Sequence, residues 1–276
     1  MGAGNARFDG SSVVVTGASS GIGLAIARRL DAEGALLTLG SRSEPDVDGA
    51  TWVATDVADP AQADALVAAA VDAHGRCDVL VNCAGVQVEK TIADTTDDEY
   101  ALVMGVNVGG TFNCCRAAVR AMRATGGGSI VNVGSIAGDV ADHSMAAYDA
   151  SKGAVHALTR AIAVDHGRDG IRCNAVAPGW TQTVMVDDAF DLADDPEAAR
   201  AAAVAMHPVG RLGVPDDIAG LVLWLASDEA GFVSGSVFAI GVNPDHFESH
   251  GFAGRFAADV DAGRITDPDF RRVPTY

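Results

Sequence analysis

Tyr148 and Lys152 stand four residues apart in Tyr148-Asp149-Ala150-Ser151-Lys152, a spacing that puts both side chains on one face of a helix. A free phenol titrates near about 10 and is a poor acid or base at neutral pH. A cation one helical turn away stabilises the phenolate and moves it toward a useful range. The pair therefore suits proton exchange with an oxygen, the step that must accompany hydride transfer to a carbonyl. A surface Tyr–Lys pair arising by chance would leave a coincidence unexplained, because Lys152 is one of only two lysines, with Lys90. Ser135 precedes Tyr148 by 13 residues, directly after an apolar run.

Chemistry of this kind needs a hydride donor held nearby. Thr16-Gly17-Ala18-Ser19-Ser20-Gly21-Ile22-Gly23 separates a short β-branched run from a segment of helical spacing. Glycines there let the backbone approach a pyrophosphate closely, and the following helix offers unpaired N–H groups and the positive end of its dipole. A lone glycine pattern also describes ordinary strand-to-helix turns. Its place in the first βα unit is where open α/β sheets bind ligands.

The elements that must position these residues follow from periodicity. Strand-like runs are Ser12–Thr16, Ala35–Leu39, Thr51–Ala54, Asp78–Val81, Ser129–Val133, Ile171–Val176 and Ser236–Ile240. Helical patterns cover Ile22–Glu33, Pro60–Ala73, Thr96–Ala124, Met145–Asp165 and Pro215–Ala226. Pro60 and Pro215 open their helices, as proline does well at a first helical position. Alternation of this kind predicts an α/β fold, a Rossmann-type doubly wound parallel sheet of about seven strands with helices on both faces. We expect a single domain over residues 1–241 and an extension over 242–276, where the rhythm stops.

In this order the motifs resemble the compact, single-domain type of the short-chain dehydrogenase/reductase family, over roughly residues 10–240. The turn resembles its T-G-x-x-x-G-[IL]-G fingerprint, Asn82-Cys83-Ala84-Gly85 its N-N-A-G pattern, and Tyr148-x-x-x-Lys152 its catalytic motif. Asp56-Val57, Asn107, Ser135 and Pro178-Gly179 fall at matching places. The resemblance implies a nicotinamide cofactor held by Gly17, Ser19, Ser20, Gly21, Ile22, Gly23, Ser41, Arg42, Asp56, Val57, Asn82, Ala84, Gly85, Tyr148, Lys152, Pro178 and Gly179. It implies Tyr148 as acid/base, Lys152 also bonding the nicotinamide ribose, Ser135 bonding the substrate oxygen, and Asn107 holding a water in a relay to Lys152. Cys83 departs from the pattern and puts one strand-end hydrogen bond in question. Gly241-Val242-Asn243 replaces the usual D-G-G.

An acidic residue ending the second strand would favour NAD by accepting from the ribose 2′-OH. Here Ser41 and Arg42 stand there, and a guanidinium pairs well with a 2′-phosphate. NADP(H) is the expected preference; Arg42 capping a surface turn or stacking on adenine would leave NAD(H) usable. The resemblance also implies substrate contacts from Ser135, Tyr148, Ile136-Ala137-Gly138, Asp142-His143-Ser144-Met145 and the loop from Trp180 to about Met206, with His143 either a further contact or facing water. Asp149, about 100° round the helix from Tyr148, is read as solvent-facing. The tail carries Phe247, Phe252, Phe256 and Phe270; it either packs on the domain or a neighbouring subunit, or stays disordered.

The net charge of −18 over 276 residues disfavours nucleic acid as a partner. No apolar run reaches the length of a membrane span, and the first ten residues lack a signal peptide's pattern. Five cysteines without disulfide or metal spacing suit a reducing, cytoplasmic setting and no metal. The family implies a homodimer or homotetramer acting on a small carbonyl or alcohol, a ketoreductase-like role. A nucleotide-sensing regulator that kept the fold and lost catalysis would show decay of the Ser–Tyr–Lys set, which is intact. A halohydrin dehalogenase relative would lack the nucleotide fingerprint and carry Arg at position 152.

Overall fold

The computed structural model describes residues 7–191, 193 and 195–241. The expected extension, 242–276, with its four phenylalanines, lies outside the described residues.

Seven parallel strands form one sheet in the order β3-β2-β1-β4-β5-β6-β7. They are β1 (Ser12–Thr16), β2 (Leu36–Ser41), β3 (Thr51–Ala54), β4 (Val79–Asn82), β5 (Gly128–Val133), β6 (Ile171–Pro178) and β7 (Val237–Ile240). The chain reverses its direction of progress at β1, so the β1 and β4 ends flank the switch point where such sheets open a crevice.

Side chains leave alternate faces of each strand, and the core divides accordingly. Val13 and Val15 pack with Ile26 and Leu30 of α1 (Gly21–Ala32) and with Ile218 and Leu223 of α8 (Pro215–Ala226). Val14, Leu80 and Ile130 face the other way, onto Leu66 of α2 (Pro60–His74) and Met122 of α4 (Thr111–Thr125). Removing each such side chain from water contributes about 1.5–3 kcal/mol. Both faces are therefore covered, as the strands' near-continuous apolar composition requires.

The helix ends are secured locally. The Asp59 carboxylate accepts from the amides of Ala61 and Gln62, Pro60 follows it, and Gly75 closes α2 at φ 75°. Thr96 and Glu99 cap α3 (Asp97–Met104) reciprocally, a box in which each side chain satisfies a free amide of the other. Glu99 also pairs with Lys90 at 2.7 Å.

Two local features depart from the expected elements. The segment expected as one helix over 96–124 is interrupted by a π-helical stretch, Gly105–Gly110, which widens the helix by one residue per turn. Gly110 is obligatory there, since a Cβ would stand 2.4 Å from Val57 Cγ2. The segment after Trp180, expected as a loop, contains α6 (Val184–Asp191) and α7 (Pro196–Ala205). Asp195 caps α7 by accepting from Ala198 N at 3.0 Å. Trp180 stacks on Phe190 at 5.3 Å, and Arg200 bridges to Asp187 at 2.8 Å, tying this pair of helices together. Among the described residues no helix is long and apolar enough to cross a membrane.

Candidate active site

A cleft of about 380 Å³ opens along the carboxyl ends of the strands. Its first wall is the turn between β1 and α1. Gly17 has φ 66°, and a Cβ there would stand 2.7 Å from Ala84 N; a Cβ on Gly23 would stand 2.2 Å from Gly17 O. Only glycine lets these backbones meet. The Thr16 hydroxyl accepts from the amides of Cys83 (3.1 Å) and Ala84 (3.2 Å), fastening the end of β1 to the chain leaving β4. The α1 N-terminus carries no side-chain cap and no acidic residue in its first turn. Its free amides and dipole are therefore available to an anion. A glycine cradle too tight for any Cβ, beside an uncapped helix start, fits a dinucleotide pyrophosphate.

Along this wall the cleft is lined by Gly17, Ser19, Ser20, Gly21, Ile22, Gly23, Ser41, Arg42, Asp56, Val57, Ala84, Gly85, Pro178 and Gly179. Asn82 is apart from them. Its amide donates to Asn132 Oδ1 at 2.9 Å and lies 3.1 Å from Cys115 Sγ, inside the core. Strand alternation explains this, because Asn82 shares a face with Leu80, toward α4. Arg42 is exposed at the cleft edge, while the Ser41 hydroxyl donates to Ser43 O at 2.7 Å. Cys83, half-buried at the cleft floor, has its thiol pushed up to about 12 by burial, with Lys152 opposing. It stays protonated at neutral pH.

At the other end stand Ser135, Tyr148 and Lys152. The α5 helix (Ala146–His166) presents Tyr148 and Lys152 one turn apart, with Lys152 Nζ 5.5 Å from the Tyr148 ring centre. Lys152 is buried and donates to Val133 O at 3.0 Å. Ser135 follows β5, and its hydroxyl accepts from Ala137 N at 3.2 Å, starting the short 3-10 turn Ile136–Gly138.

Asn107 sits in the π-helical stretch, buried behind the cleft surface. Its Oδ1 accepts from Val86 N at 2.8 Å, and its Nδ2 donates to Val86 O and Ser151 Oγ, both at 2.9 Å. The Ser151 hydroxyl donates on to Tyr148 O at 2.7 Å. Asn107 thus ties the chain after Gly85 to the start of α5.

His143 is exposed and does not line the cleft. The next residue, Ser144, has φ 59°, and that left-handed turn carries the chain back to α5 with His143 on the outside. Asp149, expected in solvent, is half-buried under the preceding loop. Its Oδ2 accepts from Asp142 N at 3.2 Å, while Oδ1 is buried and unpartnered. Loss of water raises its carboxyl to about 6, opposed by the Asp142 amide.

The substrate end is lined by Asp142, Met145, Trp180 and Val184–Val186, from segments the family's pattern pointed to, together with Val86, Gln87, Val106 and Val140, which no motif marked. The approach of 86–87 to this space is set by tertiary packing and leaves no local sequence signal.

Comparison with known proteins agrees with this architecture. A family model described as Enoyl-(Acyl carrier protein) reductase matches residues 17–241. The chain is 42% identical over 244 residues to a galactitol 2-dehydrogenase (L-tagatose-forming) of Cereibacter sphaeroides, covering 85% of this chain and 94% of the relative. It is 40% identical to a cis-4-hydroxycyclohexanecarboxylate dehydrogenase of Sinomonas cyclohexanicum, covering 82% and 93%. The ligand-free aldohexose dehydrogenase of Thermoplasma acidophilum superposes with a TM-score of 0.81 at 33% identity, covering 86% of this chain and 94% of that one. The ordered motifs, the seven-stranded sheet and these relatives lead to one conclusion: the chain belongs to the short-chain dehydrogenase/reductase family and is an oxidoreductase that moves a hydride between a nicotinamide cofactor and a secondary alcohol or ketone.

Proposed function

We propose that this enzyme interconverts a largely apolar, uncharged ketone and its secondary alcohol, with NADP(H) preferred over NAD(H). The observation that carries the reading is a single cleft with the glycine turn at one end and Ser135, Tyr148 and Lys152 at the other. When bound, the dinucleotide supplies or accepts the hydride. Tyr148 exchanges the proton with the substrate oxygen, and Ser135 holds that oxygen by a hydrogen bond. Lys152 stabilises the phenolate and bonds the nicotinamide ribose. Asn107 supports the proton path to Lys152 from behind. The Gly17–Gly23 turn would hold the cofactor's pyrophosphate, and Asp56 and Val57 its adenine.

NADP(H) preference is supported by Arg42, which lines the cleft and has no ion pair among the described residues. No carboxylate follows the end of β2 until Glu44, which is outside the lining. The substrate class is supported by the valines, Met145 and Trp180 of the outer cleft, whose polar members beyond Ser135 and Tyr148 are Gln87, Asp142, Thr181 and Thr183. A carboxylate would meet Asp142.

Exposed Tyr100, Leu102, Phe112 and Val164 on α3, α4 and α5 support self-association into a dimer or tetramer. Free cysteines, four of them buried, suit the cytoplasm. We take residues 1–241 as one catalytic domain and 242–276 as an addition to it.

Turnover of a panel of cyclic and linear ketones with NADPH and NADH tests the reading. Tyr148→Phe should lower kcat by about 10²–10⁴-fold, the usual scale of general acid catalysis, while cofactor affinity measured by fluorescence stays unchanged. Near-normal turnover in that variant would overturn the assignment.

A further inference from the structure

His156 lies one helical turn beyond Lys152 on α5, 1% exposed, in a place the reaction does not call for. Its Nδ1 meets Asp139 Oδ1 at 3.1 Å, while Nε2 is buried without a hydrogen-bond partner. The ring lies against the turn that carries Ser135. A Cβ at Gly134 would stand 2.4 Å from His156 Nε2, and one at Gly138 would stand 2.6 Å from Cε1. One edge of the imidazole therefore runs from Gly134 through Gly138 to Asp139, spanning both sides of Ser135.

The rest of the turn is held at separate points. Val133 O accepts from Lys152 Nζ, Gly134 N donates to Val176 O at 2.7 Å, and Gly138 N donates to Ser135 O at 3.0 Å. These bonds pin the backbone, and the imidazole packs against it at Gly134 and Gly138, on either side of Ser135. Burial holds the His156 pKa below its usual value, with Arg160 and Lys152 acting the same way and Asp139 opposing. The ring is thus neutral at pH 7, with its proton on Nδ1 toward the carboxylate and a lone pair against Gly134. Leaving a buried ring nitrogen unpaired costs stability, so packing alone would be served better by an apolar residue of similar size.

We propose that His156, braced by Asp139, is a positioning residue that sets the place of the Ser135 hydroxyl. It touches neither substrate nor cofactor and acts only through the Gly134–Asp139 turn. The inference rests on Ser135 holding the substrate oxygen, as proposed above. Small misplacements of such a group lower the rate without weakening cofactor binding.

A double-mutant cycle on the full-length enzyme tests it. His156→Ala should lower kcat about tenfold to a hundredfold, the scale of a misplaced reacting group, with cofactor affinity unchanged. In a Ser135→Ala background the same change should have little further effect, because groups acting through one another are not additive. His156→Asn, which retains a donor toward Asp139, should recover part of the rate. Asp139→Asn, at a carboxylate 36% exposed, keeps the test open if His156→Ala fails to fold; its loss should likewise vanish without the Ser135 hydroxyl. Independent, additive losses in the two backgrounds would overturn the proposal, as would unchanged kcat in both His156→Asn and Asp139→Asn. Normal ketone turnover by the single Ser135→Ala variant would instead refute the role given to Ser135.

Discussion

The two ends of the cleft are built from different materials. At the nucleotide end the chain offers backbone: glycines at φ 66° (Gly17) and φ 51° (Gly21), free amides of α1, and a Gly23 with no room for a Cβ. At the catalytic end it offers side chains standing on a helix face and a strand end, each steadied by a neighbour. Lys152 leans on Val133 O, and Ser135 on Ala137 N. Backbone recognition is unforgiving of added atoms but indifferent to which polar residues surround it. Side-chain recognition loses function on deletion of one atom while the fold survives.

The sharpest way to break this contrast is to add a methyl group at one end and remove an oxygen at the other. Gly23→Ala should abolish measurable cofactor binding and lower Tm by several degrees, because Gly17 O cannot retreat without opening the β1–α1 turn. Tyr148→Phe should do the opposite, retaining binding and Tm while kcat falls by about 10²–10⁴-fold. Titration of cofactor fluorescence beside a thermal melt checks both. If Gly23→Ala binds normally, the backbone description of that end fails.

A smaller effect sharpens the account at the adenosine rim, where the nucleotide end turns to side chains. Arg42→Ala should raise KM for NADPH about tenfold, the worth of one charge-assisted contact, and leave KM for NADH nearly unchanged. Equal changes for both cofactors would remove Arg42 from 2′-phosphate recognition.

The smallest effect concerns Asp149, next to Tyr148 in the chain. Its carboxyl is raised from 3.8 to about 6, so between those values the folded protein binds more protons than the unfolded chain. The ionised group therefore counts against folding at pH 7, and this penalty fades as pH falls through 6 toward 3.8. Asp149→Asn should raise Tm by about 1–2 °C at pH 7, on the scale expected of a part-buried charge in a chain this size. The gain should shrink steadily in melts at pH 5 and below. A gain independent of pH would point to packing instead.

Much of this was legible from residue types. A backbone demand for closeness appears as glycine, so the turn at 17–23 could be read directly. A helix-face pair appears as a four-residue spacing, so Tyr148 and Lys152 could be placed together. The strands showed themselves as apolar runs because both faces of the sheet are covered. What stayed hidden was set by contacts distant in sequence. The π-helical stretch adds one residue per turn without changing composition, and only Gly105, Gly109 and Gly110 hint at it. Asp149 becomes half-buried because the 139–145 segment folds over it, and His143 turns outward because Ser144 adopts a left-handed conformation. Two misses had signals available. Asp195-Pro196 is a helix start of the kind read correctly at Asp59-Pro60, and strand alternation alone sends Asn82 inward with Leu80.

The distribution of the two lysines has a practical side. Lys90 is paired with Glu99 at the surface, its side chain 41% exposed, while Lys152 is 6% exposed beneath the cleft. Apart from the chain's own α-amine, reagents that acylate amines meet a molecule with one accessible target on the face near α3. Attachment through Lys90 would present every copy to a support or a fluorophore in the same orientation, with the Lys152 amine shielded by the fold itself.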